Sequence, residues 1–160
     1  MADAVATDRK FMSAALALAR KNAASAEGGP FGAIVVFDGK VVGEGRNQVT
    51  TSNDPTAHAE IVAIRDAARR LGRFDLKGCV IYTSCEPCPM CMAAAYWARV
   101  DKVAYAATQH EAAAAGFEDA SLYDELAKDM GSRQLPCVQV KTADEDPFAV
   151  WLANPNRIPY

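Results

Sequence analysis

Cys79-Val80-Ile81-Tyr82-Thr83 runs without a break into Ser84-Cys85-Glu86-Pro87-Cys88-Pro89-Met90-Cys91, and the fold follows from how those two halves are read. The first half is rich in β-branched and aromatic residues and predicts a strand from Cys79 to about Thr83. Pro89 brings the fixed φ of a first helical residue, which makes Cys88 the N-cap of a helix running to about Arg99. Lys102 to Ala107 predicts the next strand. Strand, helix and strand in succession imply a layered α/β domain.

The flanking sequence extends the same alternation. Upstream, Asp54-Pro55-Thr56 is a helix-start signal, and Ile61, Ile64, Ala68 and Leu71 then fall on one helical face until Gly72 stops it. Ala33-Ile34-Val35-Val36-Phe37 predicts a strand, Asp38-Gly39 a two-residue hairpin turn, and Val41-Val42 the return strand. That strand fades at Gly43 and Gly45 and carries Asn47 to its far end, followed by a polar loop from Thr50 to Asn53. Residues 7–25 predict a helix with Thr7 and Asp8 as caps and Phe11, Ala15 and Leu18 on its apolar face, ending before Gly28-Gly29-Pro30. Downstream come a loop or short helix over Gln109–Gly116, a helix over Ala120–Met130 and a last strand over Val138–Lys141. The tail from Asp146 to Tyr160 carries a short helical pattern around Phe148-Ala149-Val150-Trp151. The expectation is a single α/β domain over residues 1–160: a mixed sheet of about five strands with helices on both faces.

Bulk properties exclude several classes. A chain of 160 residues can build a core without disulfide staples. Its 51% hydrophobic content is inflated by alanine, and the longest apolar run, Met90–Ala98, is far short of the ~20 residues of a spanning helix. Met1-Ala2-Asp3-Ala4 has neither the positive flank nor the apolar core of a signal peptide. Five cysteines, three of them clustered, favour metal binding over a disulfide framework. A net charge of −3 offers nucleic acid no general attraction. A soluble cytoplasmic domain is expected.

The chemistry concentrates in His58-Ala59-Glu60 and in Pro87-Cys88-Pro89-Met90-Cys91. Imidazole and thiolate are the ligands zinc prefers in tetrahedral sites. His58 and Glu60, at i and i+2, would point about 200° apart in mid-helix but can share a site off a helix N-terminus. Cys88 and Cys91, at i and i+3, share a face of their helix's first turn. The ligands therefore gather between two helix N-termini, whose free N–H groups favour thiolates. His58, Cys88 and Cys91 leave a fourth position for a water or hydroxide, and Glu60 would shuttle its protons. Two other readings stay open at this point. Cys85 could close a Cys₃His structural site, or C-x₂-C-x₂-C could hold an iron–sulfur cluster, although no fourth cysteine follows at the required spacing. Cys79 and Cys137 read as small core residues, and His110 as a surface histidine.

The pattern H-x-E…P-C-x-x-C marks zinc deaminases of nucleobases. Asn53-Asp54-Pro55-Thr56-Ala57-His58-Ala59-Glu60 with Thr83-Ser84-Cys85-Glu86-Pro87-Cys88-Pro89-Met90-Cys91 resembles the cytidine-deaminase-like superfamily. More narrowly the chain is similar to its bacterial guanine deaminases, from Gly29-Pro30-Phe31-Gly32-Ala33 through Tyr96-Trp97-Ala98-Arg99 and Ala115-Gly116-Phe117-Glu118-Asp119 to Tyr160. That resemblance implies a three-layer α/β/α sandwich, usually homodimeric, that hydrolyses guanine to xanthine and ammonia. It implies one zinc per chain held by His58, Cys88 and Cys91 but not Cys85, with Glu60 as proton shuttle. Phe31 would stack on the purine, Asn47 would hydrogen-bond it, the Ala59 backbone would orient it and Trp97 would wall the pocket. Asp119 would reach the guanine edge and assist proton transfer. Tyr160 would cover the base from a tail, residues 146–160, that closes its own site or a partner's by exchange.

Core packing is the plain alternative for Phe31 and Trp97, and a helix cap for Asp119. Two rival functions remain. A transfer-RNA adenosine deaminase of the same superfamily would use Arg65, Arg69, Arg70, Arg73 and Lys77 on RNA. A closed Cys₃His zinc module would serve as an interaction domain and leave Glu60 without a task.

Overall fold

In the computed structural model, which describes residues 2–117, 119–141 and 146–159, the Asp38-Gly39 turn joins β1 (Gly32–Phe37) to β2 (Lys40–Arg46). Both turn residues take positive φ, 48° and 70°, the type I′ geometry whose twist matches that of paired strands. On its other side β1 pairs antiparallel with β3 (Cys79–Cys85), and β3 pairs parallel with β4 (Lys102–Ala107). The order is β2-β1-β3-β4, a mixed sheet.

Period-two alternation assigns the faces. Ala33, Val35 and Ile81 point to one side, where α3 (Ala59–Leu71) and α4 (Pro89–Trp97) cover them with Ala63, Ala67 and Ala95. Ile34, Val36 and Tyr82 point to the other, under Phe11 and Ala15 of α1 (Ala2–Ser25). The result is three layers. Small residues set their spacing on the α3 side: a Cβ on Gly45 would fall 2.0 Å from the Ala59 carbonyl oxygen, and one on Gly43 2.5 Å from that of Ala63. Helix backbone therefore rests directly on strand backbone.

Several expected boundaries move. α1 begins at Ala2, upstream of its expected caps, and Asp8 instead accepts a hydrogen bond from the Tyr82 hydroxyl at 2.6 Å and pairs with Lys102 at 2.7 Å. α3 starts at Ala59, because Asp54 spends its carboxylate on the Thr56 N–H and hydroxyl in an Asx turn. The loop after Asn47 contains a one-turn helix, α2 (Val49–Ser52). After β4, a capping box of Thr108 and Glu111 starts α5 (Gln109–Ala114), and α6 (Asp119–Ala127) ends before a 3₁₀ turn at Met130–Ser132.

The expected fifth strand does not form. Val138–Lys141 has no regular secondary structure, with Val138 and Val140 77% and 82% exposed, so the sheet has four strands among the described residues. Alternating apolar and polar residues suit a strand only when another strand satisfies the backbone. The chain divides into two compact units, Met1–Ala127 and Lys128–Tyr160; the second contains α7 (Pro147–Ala153), with Asp146 capping it through the Phe148 N–H and Pro147 in its first turn.

Candidate active site

The register gathers four chain segments at one end of the sheet. Gly32 lies opposite Arg46, Ala33 opposite Thr83 and Cys85 opposite Ala107, so β1 begins where β2, β3 and β4 end. Phe31, Asn47 and the Cys85–Cys88 loop are therefore neighbours there. Two helix N-termini complete the ring, with His58 the N-cap of α3 and Cys88 the N-cap of α4, both extended at ψ 156° and 168°. His58 makes no side-chain capping hydrogen bond to α3, and the Cys88 thiol reaches both Cys91 of its own helix and His58, so imidazole and thiols meet at one point.

The space there has the dimensions of a metal ion. His58 Nδ1 lies 3.6 Å from Cys88 Sγ and 3.6 Å from Cys91 Sγ. Bonds of about 2.3 Å to sulfur and 2.0–2.1 Å to nitrogen at tetrahedral angles would set sulfur and nitrogen about 3.5–3.6 Å apart. The donor set and spacing fit zinc. Cys85, the proposed fourth ligand of a closed site, is not in this group: its buried thiol donates to the Thr108 carbonyl at 3.7 Å. Without a cation the two ligand thiols share their proton unequally. A hydrogen bond accepted from Cys91, with another accepted from His58, pulls the Cys88 thiol down to about 4. The hydrogen bond to Cys88, burial and the Glu60 charge push Cys91 up. A divalent cation removes that opposition and holds both as thiolates.

Glu60, on the first turn of α3, is 7% exposed and faces the same point. One carboxylate oxygen accepts the Thr83 hydroxyl at 3.1 Å, and the other lies 3.5 Å from Cys91 Sγ. Burial pushes its carboxyl upward, as does the nearby Cys88 charge, so it holds a proton more readily than an exposed glutamate. That suits a group that must accept a proton and give it back.

A cavity of about 490 Å³ opens onto these residues and is lined by Phe31, Asn47, His58, Glu60 and Cys88 among others. Asn47 is 9% exposed, and its Oδ1 accepts the N–H groups of Gly29 at 3.4 Å and Val49 at 3.3 Å. Its amide N–H₂ is thereby the end left to a ligand. Phe31 meets the edge of Phe117, ring centroids 4.8 Å apart at 78°.

The other expected residues stand differently. Ala59 opens α3, fully buried, with its carbonyl against Gly45. Trp97 ends α4, 68% exposed, six residues and about 9 Å of helix beyond Cys91, and is not among the described residues that line this cavity in the single chain. Asp119 begins α6, but its side chain lies outside the described residues, as does Tyr160.

Sequence reading missed four residues. Thr83 was legible in principle, because it follows Ile81 by two on the face that meets α3. Phe117, in the cavity wall, follows the positive-φ Gly116 that ends α5. Tyr123 of α6 donates its hydroxyl to the Pro87 carbonyl, one residue before Cys88, and Asn22 ties two cavity loops together. Neither of these two carries a sequence signal.

Comparison with known proteins agrees with the geometry. Residues 5–107 match the cytidine and deoxycytidylate deaminase zinc-binding region. Guanine deaminase of Bacillus subtilis strain 168 is 48% identical over 151 residues, covering 94% of this chain and 97% of that protein. Its X-ray structure superimposes with a TM-score of 0.91 over 95% of this chain and 98% of its own. A structure of guanine deaminase from Nitrosomonas europaea is 36% identical with a TM-score of 0.64, covering 68% of this chain and 63% of its own. The tRNA-specific adenosine deaminase of Aquifex aeolicus is 45% identical over 78 residues, 49% of this chain and 52% of that protein. With its His-Cys-Cys ligand set, adjacent buried glutamate and a match across most of its length, the chain belongs to the cytidine and deoxycytidylate deaminase zinc-binding family.

Proposed function

We propose that the protein is a guanine deaminase, hydrolysing the free base to xanthine and ammonia. The observation that carries this reading is the 48% identity extending over 94% of the chain to Bacillus subtilis guanine deaminase. Similarity to the tRNA-specific enzyme of Aquifex aeolicus spans only half of the chain. The arginines proposed for RNA are already engaged: Arg65 pairs with Asp54, Arg69 and Arg70 pair with Asp66, and Arg73 donates to the Lys77 carbonyl.

His58, Cys88 and Cys91 hold the zinc in this reading. When bound, zinc supplies a polarised water at the fourth position, its pKa lowered to about 7. Glu60 would take a proton from the attacking water and pass it to the ring nitrogen beside the attacked carbon, then take the proton of the hydroxyl added to that carbon and give it to the amine, so that the carbonyl forms as the C–N bond breaks and ammonia leaves. The Thr83 hydroxyl keeps the carboxylate turned toward that point. Phe31 stacks on the base and the Asn47 amide donates to an acceptor on it. Asp119 serves the guanine edge, and the Ala59 backbone orients the ring. Trp97 acts elsewhere in this reading, as part of an exposed apolar surface.

α4 is apolar almost all round, yet Tyr96 and Trp97 are 78% and 68% exposed, which supports a homodimer. Phe148, Leu152 and Ile158 are likewise exposed in the tail, which supports its closing a site, either its own or by exchange that of a partner subunit, with Tyr160 over the base. No helix among the described residues is long and apolar enough to cross a membrane, and thiolate ligands suit a reducing cytoplasm.

The test is ammonia release from zinc-loaded protein given guanine, adenine, cytosine, their nucleosides and an anticodon stem-loop. Guanine should exceed the others by about 10⁴-fold, since a pocket that bonds specific polar edges rejects bases lacking them. Comparable release from adenosine in the stem-loop would refute the assignment.

A further inference from the structure

We infer that Asn22 is a positioning residue that sets the width of the base slot between Phe31 and Asn47. It lies near the C-terminal end of α1 and outside the cavity, yet it is 1% exposed. Its Nδ2 donates to the Gly29 carbonyl at 2.8 Å and to the Asn47 carbonyl at 2.9 Å, so both amide hydrogens are committed. Those carbonyls belong to the two neighbouring loops that line the cavity, one with Gly29 and Phe31 and the other with Asn47, Val49 and Thr50. The Gly29 carbonyl also accepts the Phe31 N–H at 2.8 Å, and the Phe31 carbonyl accepts the Asn47 N–H at 3.2 Å. One buried amide thus anchors the backbone carrying the stacking ring and the backbone carrying the recognition amide.

Close packing makes the junction intolerant of movement. A Cβ on Gly28 would fall 2.3 Å from the Asn47 carbonyl oxygen and 3.0 Å from Asn22 Nδ2. On Gly29 it would meet the Phe31 ring at 3.0 Å. Glycine is required here for approach, and Asn22 fills the space behind it. Loss of the amide would leave the buried Asn47 carbonyl to seek another donor and the Gly29 carbonyl with the Phe31 N–H alone, which loosens the tie between the two loops. Neither loop holds a metal ligand or Glu60, so the effect should fall on base binding rather than on the zinc or the proton shuttle.

This inference rests on the guanine deaminase reading. Steady-state kinetics on guanine, zinc content and thermal melts should be measured for Asn22→Ala, Asn22→Ser and Gly28→Ala. Asn22→Ala should raise KM roughly ten- to a hundredfold, as expected for the loss of two hydrogen bonds, with kcat and zinc within about threefold of the parent. Asn22→Ser, which retains one donor, should lie between. Gly28→Ala, which removes no hydrogen bond but wedges the same junction, should raise KM in the same direction. A merely structural role would lower the melting temperature and the active fraction while leaving KM at the parental value. If Asn22→Ala fails to fold, the other two variants decide. Parental KM in Asn22→Ser and Gly28→Ala, with the parent active on guanine, overturns the positioning role alone. A parent that does not release ammonia from guanine overturns both readings.

Discussion

Replacing Gly45 with alanine tests whether the bare contact between β2 and α3 positions the chemistry. The new Cβ would lie 2.0 Å from the Ala59 carbonyl oxygen and 2.6 Å from the Ala63 nitrogen. Ordinary contact begins at about 3.4 Å, so helix and strand must separate by about 1.4 Å. The obstacle is helix backbone, which cannot rotate aside, so the cost should sit at the upper end of overpacking, about 3 kcal/mol. Ala59 lies between His58 and Glu60, so the same shift moves together the residues proposed as metal ligand and proton shuttle. Misplacement by about 1 Å is worth roughly 10²-fold in rate. Gly43→Ala provides the internal comparison: its Cβ would meet the Ala63 carbonyl at 2.5 Å, one helical turn and about 6 Å farther from the site. It should cost similar stability but less than about tenfold in turnover. Gly131→Ala, with nothing within 4 Å, should change neither. Urea melts paired with guanine turnover provide the readout. Parental stability in Gly45→Ala, or equal turnover losses in the Gly43 and Gly45 variants, would refute the argument.

Four further outcomes follow from the site and the core. Glu60→Gln should keep zinc and fold while losing about 10⁴-fold or more in kcat, because one group serves several proton transfers; single-turnover assays with metal analysis check it. Cys88→Ser should lose most of its zinc and Cys85→Ser should retain it, since only the former thiol lies beside His58 Nδ1; equal losses in elemental analysis would mean the site is closed by Cys85. Burial, with the Asp8 hydrogen bond adding to it, pushes the Tyr82 hydroxyl up to about 12 from 10.0. A raised folded value means its contribution is whole below pH 10 and lost as pH rises through 12, so Tyr82→Phe should cost about 1 kcal/mol at neutral pH and the gap to the parent should close across that alkaline window in pH-dependent melts. Deleting residues 157–160 should leave a folded, zinc-loaded protein whose guanine turnover falls roughly tenfold or more, and parental turnover would remove the tail from the mechanism.

Legibility in the sequence tracked how local each determinant was. The hairpin at Asp38-Gly39 and the first turn of α4 at Cys88-Pro89 depend on φ preferences of single residues, and both formed as expected. The grouping of His58, Cys88 and Cys91, which could hold a metal ion, was readable because spacing on two helix N-termini suffices to bring them together. Asp54-Pro55-Thr56 misled by four residues because an Asx turn uses the same residues as a helix cap. Val138–Lys141 misled because pairing requires a second strand that its own pattern does not specify. Trp97 lies at the end of α4, exposed, where the resemblance places a pocket wall that the single chain does not build from its own cavity-lining residues. Asn22 and Tyr123 were invisible: their partners lie 7, 25 and 36 residues away and are backbone carbonyls, which carry no side-chain signature.

The clamp of Asp8 on Tyr82 and Lys102 bears on how the protein is made. Asp8 is separated from these partners by 74 and 94 residues. At about 5–20 residues per second, ribosomal synthesis of that interval takes roughly 5–20 s. During that time α1 and then β1 are outside, while β3, which brings Tyr82 to the Phe11 and Ala15 cluster, has yet to emerge. Helix and coil interconvert in about a microsecond, so throughout the wait the segment samples its apolar residues without the strand that completes their cover. Chaperone capture and premature association during translation should therefore centre on the first 25 residues, and slowing elongation between residues 25 and 100 should aggravate both.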